Sequence, residues 1–288
     1  MIDVIILNYN DAETTGGLVK KIESYNCIQR ILIVDNCSTD DSIDKLSKLC
    51  SGKVLLRKMK RNGGYGYGNN HGIRFLKNFD NPDYILLANP DVLIEESSLL
   101  DLVSFMSSHK NYVIAAPFML NAKKERMEST AFRVPTCWQY IFSMGVLYSK
   151  YIHPTRYKGI TDVDYEYVDV DAVAGSLFMM DTNKFLKYGM YDERMFLYCE
   201  ETVLGLKIKQ SPYKMALLPR SSFVHNHSVS INKSIKSLVE RHNILLRSKM
   251  YAIKNHYHAS KIQMVVAVVV SLVSRIEFRM LAIVKSND

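Results

Sequence analysis

A carboxylate follows directly after the apolar run Tyr84–Ala88. This run has the composition of a buried strand, and Pro90 cannot continue a central strand because it has no backbone N–H. The chain must therefore turn at Asn89 and Pro90, which leaves Asp91 at the carboxyl end of a strand, where open α/β sheets bind ligands. A carboxylate there can hold a divalent cation. The alternative is that Asp91 only caps a helix that begins near Glu95.

Two adjacent acids, Glu200 and Glu201, follow an aromatic stretch at the predicted start of a helix. A carboxyl group flanked by apolar side chains and by a second carboxyl group has a shifted pKa and can act as a general base. Carboxylates at a helix start also gain from the helix dipole, so a capping role is the alternative.

Five glycines lie within ten residues after Asn62, at positions 63, 64, 66, 68 and 72. Such a loop lets the backbone approach a ligand and presents amides to anionic oxygen, although glycine-rich surface loops are more often structural. The segment has no GxxxxGK[ST] motif and follows the third predicted strand, not the first. This pattern argues against a P-loop and against a dinucleotide-binding dehydrogenase.

Two histidines, His225 and His227, follow a later strand-like segment. Alternate residues of a strand point to opposite faces, so at most one of them faces a given site. A single histidine is usually structural, but one beside a cation held by an aspartate can be a metal ligand.

The elements that must position these residues alternate through the first half of the chain. This βαβαβ order predicts a mostly parallel sheet with right-handed crossovers, flanked by helices. The predicted strands are Val4–Leu7, Ile31–Val34, Val54–Leu56 and Tyr84–Ala88, and the predicted helices between them are Glu13–Tyr25, Ser42–Cys50 and Asn70–Asn78.

The second half is less regular, with a stretch rich in Tyr, Met and Phe at 113–167. An interrupted strand is predicted at Val168–Met180. Helices are predicted at Glu200–Gln210 and Ser234–Tyr257, with a strand near Met215–Leu218 between them. The expected organisation is one catalytic domain over 1–232 and a basic helical C-terminal extension over 233–288.

Composition limits the class of protein. With 288 residues, 48% of them hydrophobic, the chain can bury one large core or two modest ones. The five cysteines are scattered without a CxxC pair, which predicts reduced thiols in the cytosol and argues against a disulfide framework or a structural zinc. The first residues resemble a strand and predict no signal peptide.

The positive charge is concentrated at the C-terminus. The segment 233–288 holds ten Lys/Arg and three Asp/Glu, an excess of seven, while the whole chain carries +8. It also contains the apolar run Met264–Val273, which is shorter than the roughly 20 residues of a spanning helix. An interfacial helix anchored by Arg275 and Arg279 fits this pattern, and a helix packed on the protein's own core or in a dimer is the alternative.

Several motifs, in this order over about residues 2–250, resemble glycosyltransferase family 2, and among its members the bacterial rhamnosyltransferases of surface polysaccharides most. They are the opening strand and loop with Asn8 and Asn10; Asp35 and Asn36 in a VDN-S-D segment; Asn62, Gly64, Gly68, Asn70 and Gly72 in N-x-G-x-x-x-G-x-N-x-G; Asn89-Pro90-Asp91 at the DxD position; the small-residue loop Ala174-Gly175-Ser176; Glu200-Glu201 at the ED motif; His225; and Arg241 with Asn243.

The resemblance implies a GT-A fold with a helical C-terminal extension, and a role for each matched residue. The residues expected to bind the nucleotide sugar are Asn8, Asn10, Asp35, Asn36, Asn62, Gly64, Gly68, Asn70 and Asn89. Gly175 and Ser176 would lie on the acceptor side, and Asp91 with His225 would hold Mg²⁺ or Mn²⁺. Glu201, or else Glu200, would be the catalytic base.

Two departures from the family pattern leave part of this open. Asn89 stands at the first DxD position, so the metal would depend on Asp91, the donor's diphosphate, water and His225. Glu201 replaces the more usual Asp of the ED motif, and Val203 stands where an acid is common. Which of the two glutamates is the base is therefore left open by the sequence.

The resemblance implies an inverting transferase for hexosyl or rhamnosyl groups. Its donor would be a UDP-, dTDP- or GDP-linked sugar, and its acceptor a hydroxyl of a polyprenyl-diphosphate-linked glycan for lipopolysaccharide or capsule. It would act in the cytoplasm, peripherally on the inner face of the membrane, and without nucleic acid. Two other classes stay open: a nucleotidyltransferase-like enzyme, for which a lysine is expected in the glycine-rich loop, and a non-catalytic carbohydrate- or membrane-binding protein.

Overall fold

A computed structural model describes residues 1–226 and 237–286, with side chains as far as Met280. Within these residues, nine strands form one mixed sheet in the order β3-β2-β1-β4-β10-β6-β11-β5, with β8 also paired to β11, and β7 pairs separately with β9. The strands are β1 Ile2–Asn8, β2 Ile28–Asp35, β3 Val54–Lys58, β4 Tyr84–Ala88, β5 Val92–Ile94, β6 Tyr112–Leu120, β7 Ala131–Phe132, β8 Val168–Val170, β9 Ala172–Val173, β10 Leu177–Asp181 and β11 Lys214–His225.

Helices cover both faces of this sheet, as the continuous apolar runs of its strands require. Along β1, Val4 and Ile6 pack with α1, α2 and α4 on one face, whereas Ile5 packs with α3, α7 and α8 on the other. The helices are α1 Ala12–Ile22, α2 Ser42–Ser47, α3 Tyr65–Phe79, α4 Glu96–Ser108, α5 Cys137–Phe142, α6 Val146–Tyr151, α7 Thr182–Tyr188, α8 Glu200–Lys209, α9 Leu238–Asn255 and α10 Lys261–Ser286.

The position of β1 creates the place where a ligand can bind. β1 pairs in parallel with β2 on one side and with β4 on the other, so the crossovers leave it in opposite directions. At such a switch point the loops after the two strands separate and leave a crevice at their carboxyl ends. Asn8 ends β1, and Asn89 follows β4 directly. The predicted parallel half of the sheet is confirmed.

The glycine-rich segment differs from its prediction as a loop. Helix α3 begins at Tyr65, so only Asn62, Gly63 and Gly64 remain outside it. A Cβ on Gly66 would lie 2.7 Å from Cβ of Tyr191, and one on Gly68 would lie 2.3 Å from Cδ1 of Leu7. Both glycines therefore allow α3 to pack closely against its neighbours.

The second half of the sheet mixes directions. β10 is antiparallel to both β4 and β6, whereas β11 is parallel to β6 and antiparallel to β5. The predicted strand over Val168–Met180 is three separate strands, because the chain leaves the sheet at Ala174–Ser176. That break puts Gly175 and Ser176 next to the turn after β4, where the N–H of Asn89 donates to the carbonyl of Ser176 at 2.8 Å.

The C-terminal helices pack on the rest of the protein. Leu246 and Ile253 of α9 and Ala267 of α10 share a hydrophobic cluster with Tyr140 of α5 and Val203 of α8. The run predicted at 264–273 lies inside α10. No helix among the described residues is long and apolar enough to cross a membrane. The expected domain boundary at 232/233 lies outside the described residues.

Candidate active site

Asn8 and Asp35 form a buried polar pair at the ends of β1 and β2. Nδ2 of Asn8 donates to Oδ2 of Asp35 at 2.8 Å, and the hydroxyl of Thr15 donates to Oδ1 of Asn8 at 2.8 Å. The hydroxyl and the backbone N–H of Ser38 donate to the two carboxylate oxygens at 2.6 and 2.9 Å. Both predicted residues are therefore held rigidly at the carboxyl edge of the sheet.

Asn10 joins the two loops that follow these strands. Its backbone has a positive φ of 52°, a conformation that Asn tolerates better than most residues. Its N–H donates to the hydroxyl of Ser38 at 2.9 Å, and its Oδ1 accepts from the N–H of Thr39 at 2.8 Å. Asn10 therefore shapes the edge of the crevice.

Asn36 and Asn62 fix the entry into α3. Nδ2 of Asn36 donates to Oδ1 of Asn62 at 2.9 Å and to the carbonyl of Gly64 at 3.0 Å, and the N–H of Gly64 donates to Oδ1 of Asn62 at 3.0 Å. These residues line a cavity of about 360 Å³, here called the donor crevice. Other lining residues are Tyr9, Asp11, Asn89, Glu240 and Ile244.

Gly64 lies where the donor crevice meets the loop before α8. Its φ is +87°, and a Cβ there would lie 1.9 Å from the carbonyl oxygen of Phe196. The N–H of Tyr65 donates to that same oxygen at 3.1 Å. Glycine is thus required both by the backbone conformation and by the close approach of the two segments.

Gly68 and Asn70, two of the residues expected to bind nucleotide, make packing and hydrogen-bond contacts within the protein. Gly68 packs against Leu7. Asn70 donates from Nδ2 to the carbonyl of Tyr191 at 3.0 Å and to Glu193 at 3.0 Å, and its Oδ1 accepts from the N–H of Tyr191 at 3.0 Å. Neither residue lines the donor crevice, and nor do Asn8, Asn10 and Asp35. Asn70 acts by tying α3 to the loop that leads to the glutamates.

Asp91 and His225 meet at the far side of the turn after β4. β5 pairs with the end of β11, and this pairing brings Nε2 of His225 to 3.2 Å from Oδ1 of Asp91. The capping alternative for Asp91 is wrong, because α4 begins only at Glu96. Both side chains are buried. His227 lies outside the described residues.

This pair supplies two donors for a divalent cation. Among the described residues, no group of three or more His, Cys, Asp or Glu is arranged to hold a metal ion. An oxygen and an imidazole nitrogen side by side are nonetheless ligands that Mn²⁺ and Mg²⁺ accept, with the remaining positions taken by water and by substrate phosphate. The chemistry of the two donors fits such a shared site.

A second cavity of about 510 Å³, here called the acceptor cavity, lies beside the donor crevice. Tyr65, Asn89 and Leu197 line both. The walls of the acceptor cavity also carry Gly175, Ser176, Glu200, Glu201, His225 and Lys249, together with aromatic residues of 129–155. The predicted base, acceptor loop and metal residues are thus brought together around one space.

Glu200 and Glu201 begin α8, but the structure separates their surroundings. Glu200 is buried and also lines a small third cavity with Tyr191 and Lys207. Its Oε1 has no hydrogen-bond partner among the described residues. Burial raises the pKa of Glu200 to about 8, and the adjacent carboxyl of Glu201 adds to the shift. Glu200 therefore keeps its proton to a higher pH than an ordinary glutamic acid.

Glu201 faces the acceptor loop. A Cβ on Gly175 would lie 3.1 Å from its Oε1, and the carbonyl of Gly175 accepts from the hydroxyl of Tyr65 at 2.6 Å. Burial raises the pKa of Glu201 as well, while the N–H groups of Gly175 and of Glu201 itself favour the charged form. Of the two acids, Glu201 is the one placed to ionise first and to meet an acceptor.

Sequence reasoning missed Lys249, a cation of the acceptor cavity. Its ammonium group donates to the carbonyl and the hydroxyl of Ser143 at 2.7 and 3.0 Å, and burial lowers its pKa. No local motif marks it, because it reaches the cavity only through the packing of α9 against α5. Arg241 and Asn243 lie in the first turns of the same helix.

Comparison with known proteins decides the family. The sequence model of the family "Glycosyl transferase family 2" matches residues 3–175, which are more than half of the chain. The chain belongs to glycosyltransferase family 2. It is 23% identical over 233 residues to the rhamnosyltransferase WbbL of Escherichia coli K12, and this alignment covers 78% of this chain and 83% of the relative. It is 25% identical over 235 residues to the low-salt glycan biosynthesis hexosyltransferase Agl10 of Haloferax volcanii, covering 79% and 68%.

The fold also matches a solved glycosyltransferase structure. GalNAc-T7, crystallised with UDP, GalNAc and Mn²⁺, superposes with a TM-score of 0.64 at 17% identity over 90% of this chain. The chain described here spans about half of GalNAc-T7, 49% of its length. The predicted GT-A fold and the predicted glycosyltransferase activity are confirmed.

Proposed function

We propose that this enzyme transfers a hexosyl or rhamnosyl group, with inversion, from a nucleoside diphosphate to a glycan hydroxyl. The observation that carries the proposal is the junction of the two cavities. The donor crevice is lined by Asn36, Asn62, Gly64 and Asn89. The acceptor cavity is lined by Glu201 and by His225, which contacts Asp91, and Tyr65 and Asn89 line both cavities. At this junction, groups that hold the donor's diphosphate would lie on one side of the sugar and a base would lie on the other.

The donor crevice binds the nucleotide. Asn36, which lines the crevice, and Asp35 beside it hold the base or the ribose. They stand at the carboxyl end of β2, next to the switch point at β1, and their side chains are already ordered by Asn8 and Asn62. Preorganised polar groups bind without the entropic cost of ordering them. UDP-, dTDP- and GDP-linked sugars all fit this description.

Glu201 is the base. Its ionised carboxylate takes the proton of the acceptor hydroxyl, and the oxygen then forms a bond to C1 of the donor sugar. The bond from C1 to the diphosphate breaks, and the diphosphate leaves with the electron pair. Attack from the face opposite to the leaving group inverts the configuration at C1.

Asp91 and His225 would hold Mg²⁺ or Mn²⁺ together with oxygens of the diphosphate. A cation there neutralises the negative charge of the leaving group. The 3.2 Å contact between the two side chains supports this role, and so does the Mn²⁺ in the GalNAc-T7 crystal.

The acceptor is a polyprenyl-diphosphate-linked glycan of the bacterial surface, such as lipopolysaccharide or capsule, met at the cytoplasmic face of the membrane. The names of the relatives, a rhamnosyltransferase and a glycan biosynthesis hexosyltransferase, support a polysaccharide acceptor. The basic C-terminal segment supports a membrane location.

A thermal-shift screen of the purified enzyme tests the proposal. UDP-, dTDP- and GDP-sugars are added with and without Mn²⁺. A ligand at a hundredfold excess over its Kd should stabilise the fold by about 2.7 kcal/mol. The expected result is a Mn²⁺-dependent shift with one nucleotide class that Asp91→Ala removes and Asp44→Ala, an exposed control on α2, retains. No shift with any nucleotide, or an unchanged shift in Asp91→Ala, would contradict the proposal.

A further inference from the structure

Helix α10 presents a continuous apolar stripe to solvent. Its exposed members recur at helical spacing along one side of the helix, and they are Ile262, Val265, Val268, Val269, Leu272, Val273, Ile276 and Met280. At 1.5 Å per residue the stripe is about 27 Å long. Soluble proteins rarely leave an apolar area of this extent uncovered, so the stripe indicates an interaction surface.

The opposite side of α10 is firmly attached, so the exposure of the stripe is a property of the folded protein. The hydroxyl of Ser274 donates to the carbonyl of Met144 at 2.6 Å, and Glu277 accepts from the N–H of Val146 at 2.8 Å. His242 of α9 stacks on Phe278, with 4.2 Å between the ring centroids. These contacts fix the rotation of the helix about its own axis.

Exposed side chains of α5 and α6 extend the stripe. The turn between these helices contacts α10 at Ser274 and Glu277, and Glu277 lies beside the stripe on the helix surface. Exposed apolar or aromatic residues of the two helices are Trp138, Phe142, Leu147 and Tyr151. Together with the stripe they are called the apolar face below. Trp and Tyr are the residues that favour the boundary between lipid and water.

The charges around the apolar face favour a lipid bilayer over a second copy of the chain. At about 100° per residue, Lys261, Arg275 and Arg279 fall along one edge of the stripe. Glu277 is the single acid between 261 and 280, and it is engaged by Val146. The same segment of a second copy would offer these cations only that engaged acid, whereas a bilayer offers them anionic headgroups.

The apolar face adjoins the acceptor cavity through α5 and α6. Tyr140, Ser143 and Ser149 of this region line the cavity, and Ile152, directly after α6, is both a lining residue and exposed. The two helices thus have the cavity on one side and the apolar face on the other. A surface that binds lipid here would bring the mouth of the cavity close to the headgroups.

We propose that the apolar face docks the enzyme on the surface of an anionic bilayer, without spanning it, and that this docking presents the acceptor cavity to a lipid-linked acceptor. The part about the acceptor rests on the proposed function. The docking itself rests only on the face, its charges and its attachment.

Sedimentation with vesicles tests the docking. Full-length enzyme is mixed with vesicles of phosphatidylcholine alone, or of phosphatidylcholine with phosphatidylglycerol. Leu272→Glu is compared with Leu100→Glu on α4, because these leucines are 54% and 52% exposed and only Leu272 belongs to the apolar face. The expected result is binding to the anionic vesicles, weakened at least tenfold by Leu272→Glu and unchanged by Leu100→Glu.

A variant that lacks two positive charges provides a second test of vesicle binding. Arg275→Gln with Arg279→Gln should weaken binding to the anionic vesicles by about 30-fold, because each cation near an anionic surface contributes about 1 kcal/mol. Both arginines are exposed, so the fold should be retained. Equal binding of Leu272→Glu and Leu100→Glu would overturn the proposal. A wild-type dimer that Leu272→Glu dissociates, with no vesicle binding, would also overturn it.

The same variants separate the docking from the proposed function. Leu272→Glu should retain the nucleotide-dependent thermal shift of the wild type, since α10 does not line the donor crevice. Loss of vesicle binding with a normal shift locates the effect on the apolar face. A wild-type enzyme that binds vesicles but no nucleotide sugar would instead contradict the glycosyl-transfer proposal and leave the docking intact.

Discussion

The donor crevice and the acceptor cavity lie side by side but are built by different means. The crevice rests on neutral and charged polar groups whose hydrogen bonds are made within the protein, such as the Asn8–Asp35 pair with its Ser38 partner. The acceptor cavity has a buried acid, Glu200, with an oxygen that has no partner among the described residues. It also has a half-buried acid, Glu201, and a half-buried lysine. The polar groups of the donor crevice are ordered for binding, whereas burial shifts the pKa values of the titratable groups in the acceptor cavity.

The largest expected effect separates the two halves directly. Glu201→Gln keeps the size of the side chain but removes the base, so kcat should fall by about 10²–10⁴-fold. Because Glu201 does not line the donor crevice, the Kd of the nucleotide sugar should stay within about twofold. Steady-state kinetics and calorimetric titration measure the two quantities. Equal losses of Kd and kcat would show that the two cavities are not separable.

Gly64 connects the two halves, and its replacement should damage both. Gly64→Ala places a methyl group against the carbonyl of Phe196 at a positive φ, and should lower the free energy of unfolding by about 2–4 kcal/mol. Gly17→Ala on α1 is the matched control, since its Cβ meets nothing within 4 Å. It should raise the free energy of unfolding by about 0.5–1 kcal/mol. Urea unfolding measures both, and a neutral Gly64→Ala would refute the close contact.

A pH-dependent effect concerns the protonation of Glu200. Its pKa is about 8 in the folded state and lies near its ordinary value of 4.5 in the unfolded chain. Between these values the folded state holds more protons, so this group makes the protein less stable as pH rises, by up to about 1.4 kcal/mol per pH unit. Glu200→Gln removes that dependence, and it should gain stability over the wild type between pH 5 and pH 8.

Urea unfolding at pH 5, 6.5 and 8 measures this difference. Glu13→Gln, at an exposed position on α1, is the control and should follow the wild type at every pH. Parallel curves for Glu200→Gln and the wild type would show that Glu200 is already ionised in the folded protein.

The two halves also differ in how well the sequence predicts them. The donor crevice is local: Asn8, Asp35, Asn36 and Asn89 follow strands whose apolar runs are visible, and parallel strand ends must meet at one edge of the sheet. Gly68 and Asn70 are the residues whose contacts within the protein the sequence did not indicate. A glycine that permits close helix packing has the same sequence signature as one that approaches a ligand.

The acceptor cavity could not be assembled from the sequence. Its walls come from 129–155, 174–176, 197–202 and α9, and only the fold brings these segments together. The contact between Glu201 and Gly175 depends on the break between β9 and β10, where the sequence predicted one interrupted strand. The structure therefore favours Glu201 as the base, whereas the motif left Glu200 and Glu201 equal.

The configuration of the product shows most directly whether one base in the acceptor cavity drives a single displacement at C1. The enzyme is incubated with its nucleotide sugar and a glycan acceptor, and the anomeric proton of the new linkage is observed by NMR as it forms. A single displacement gives a coupling constant for the configuration opposite to that of the donor. A product that retains the donor's configuration would contradict it.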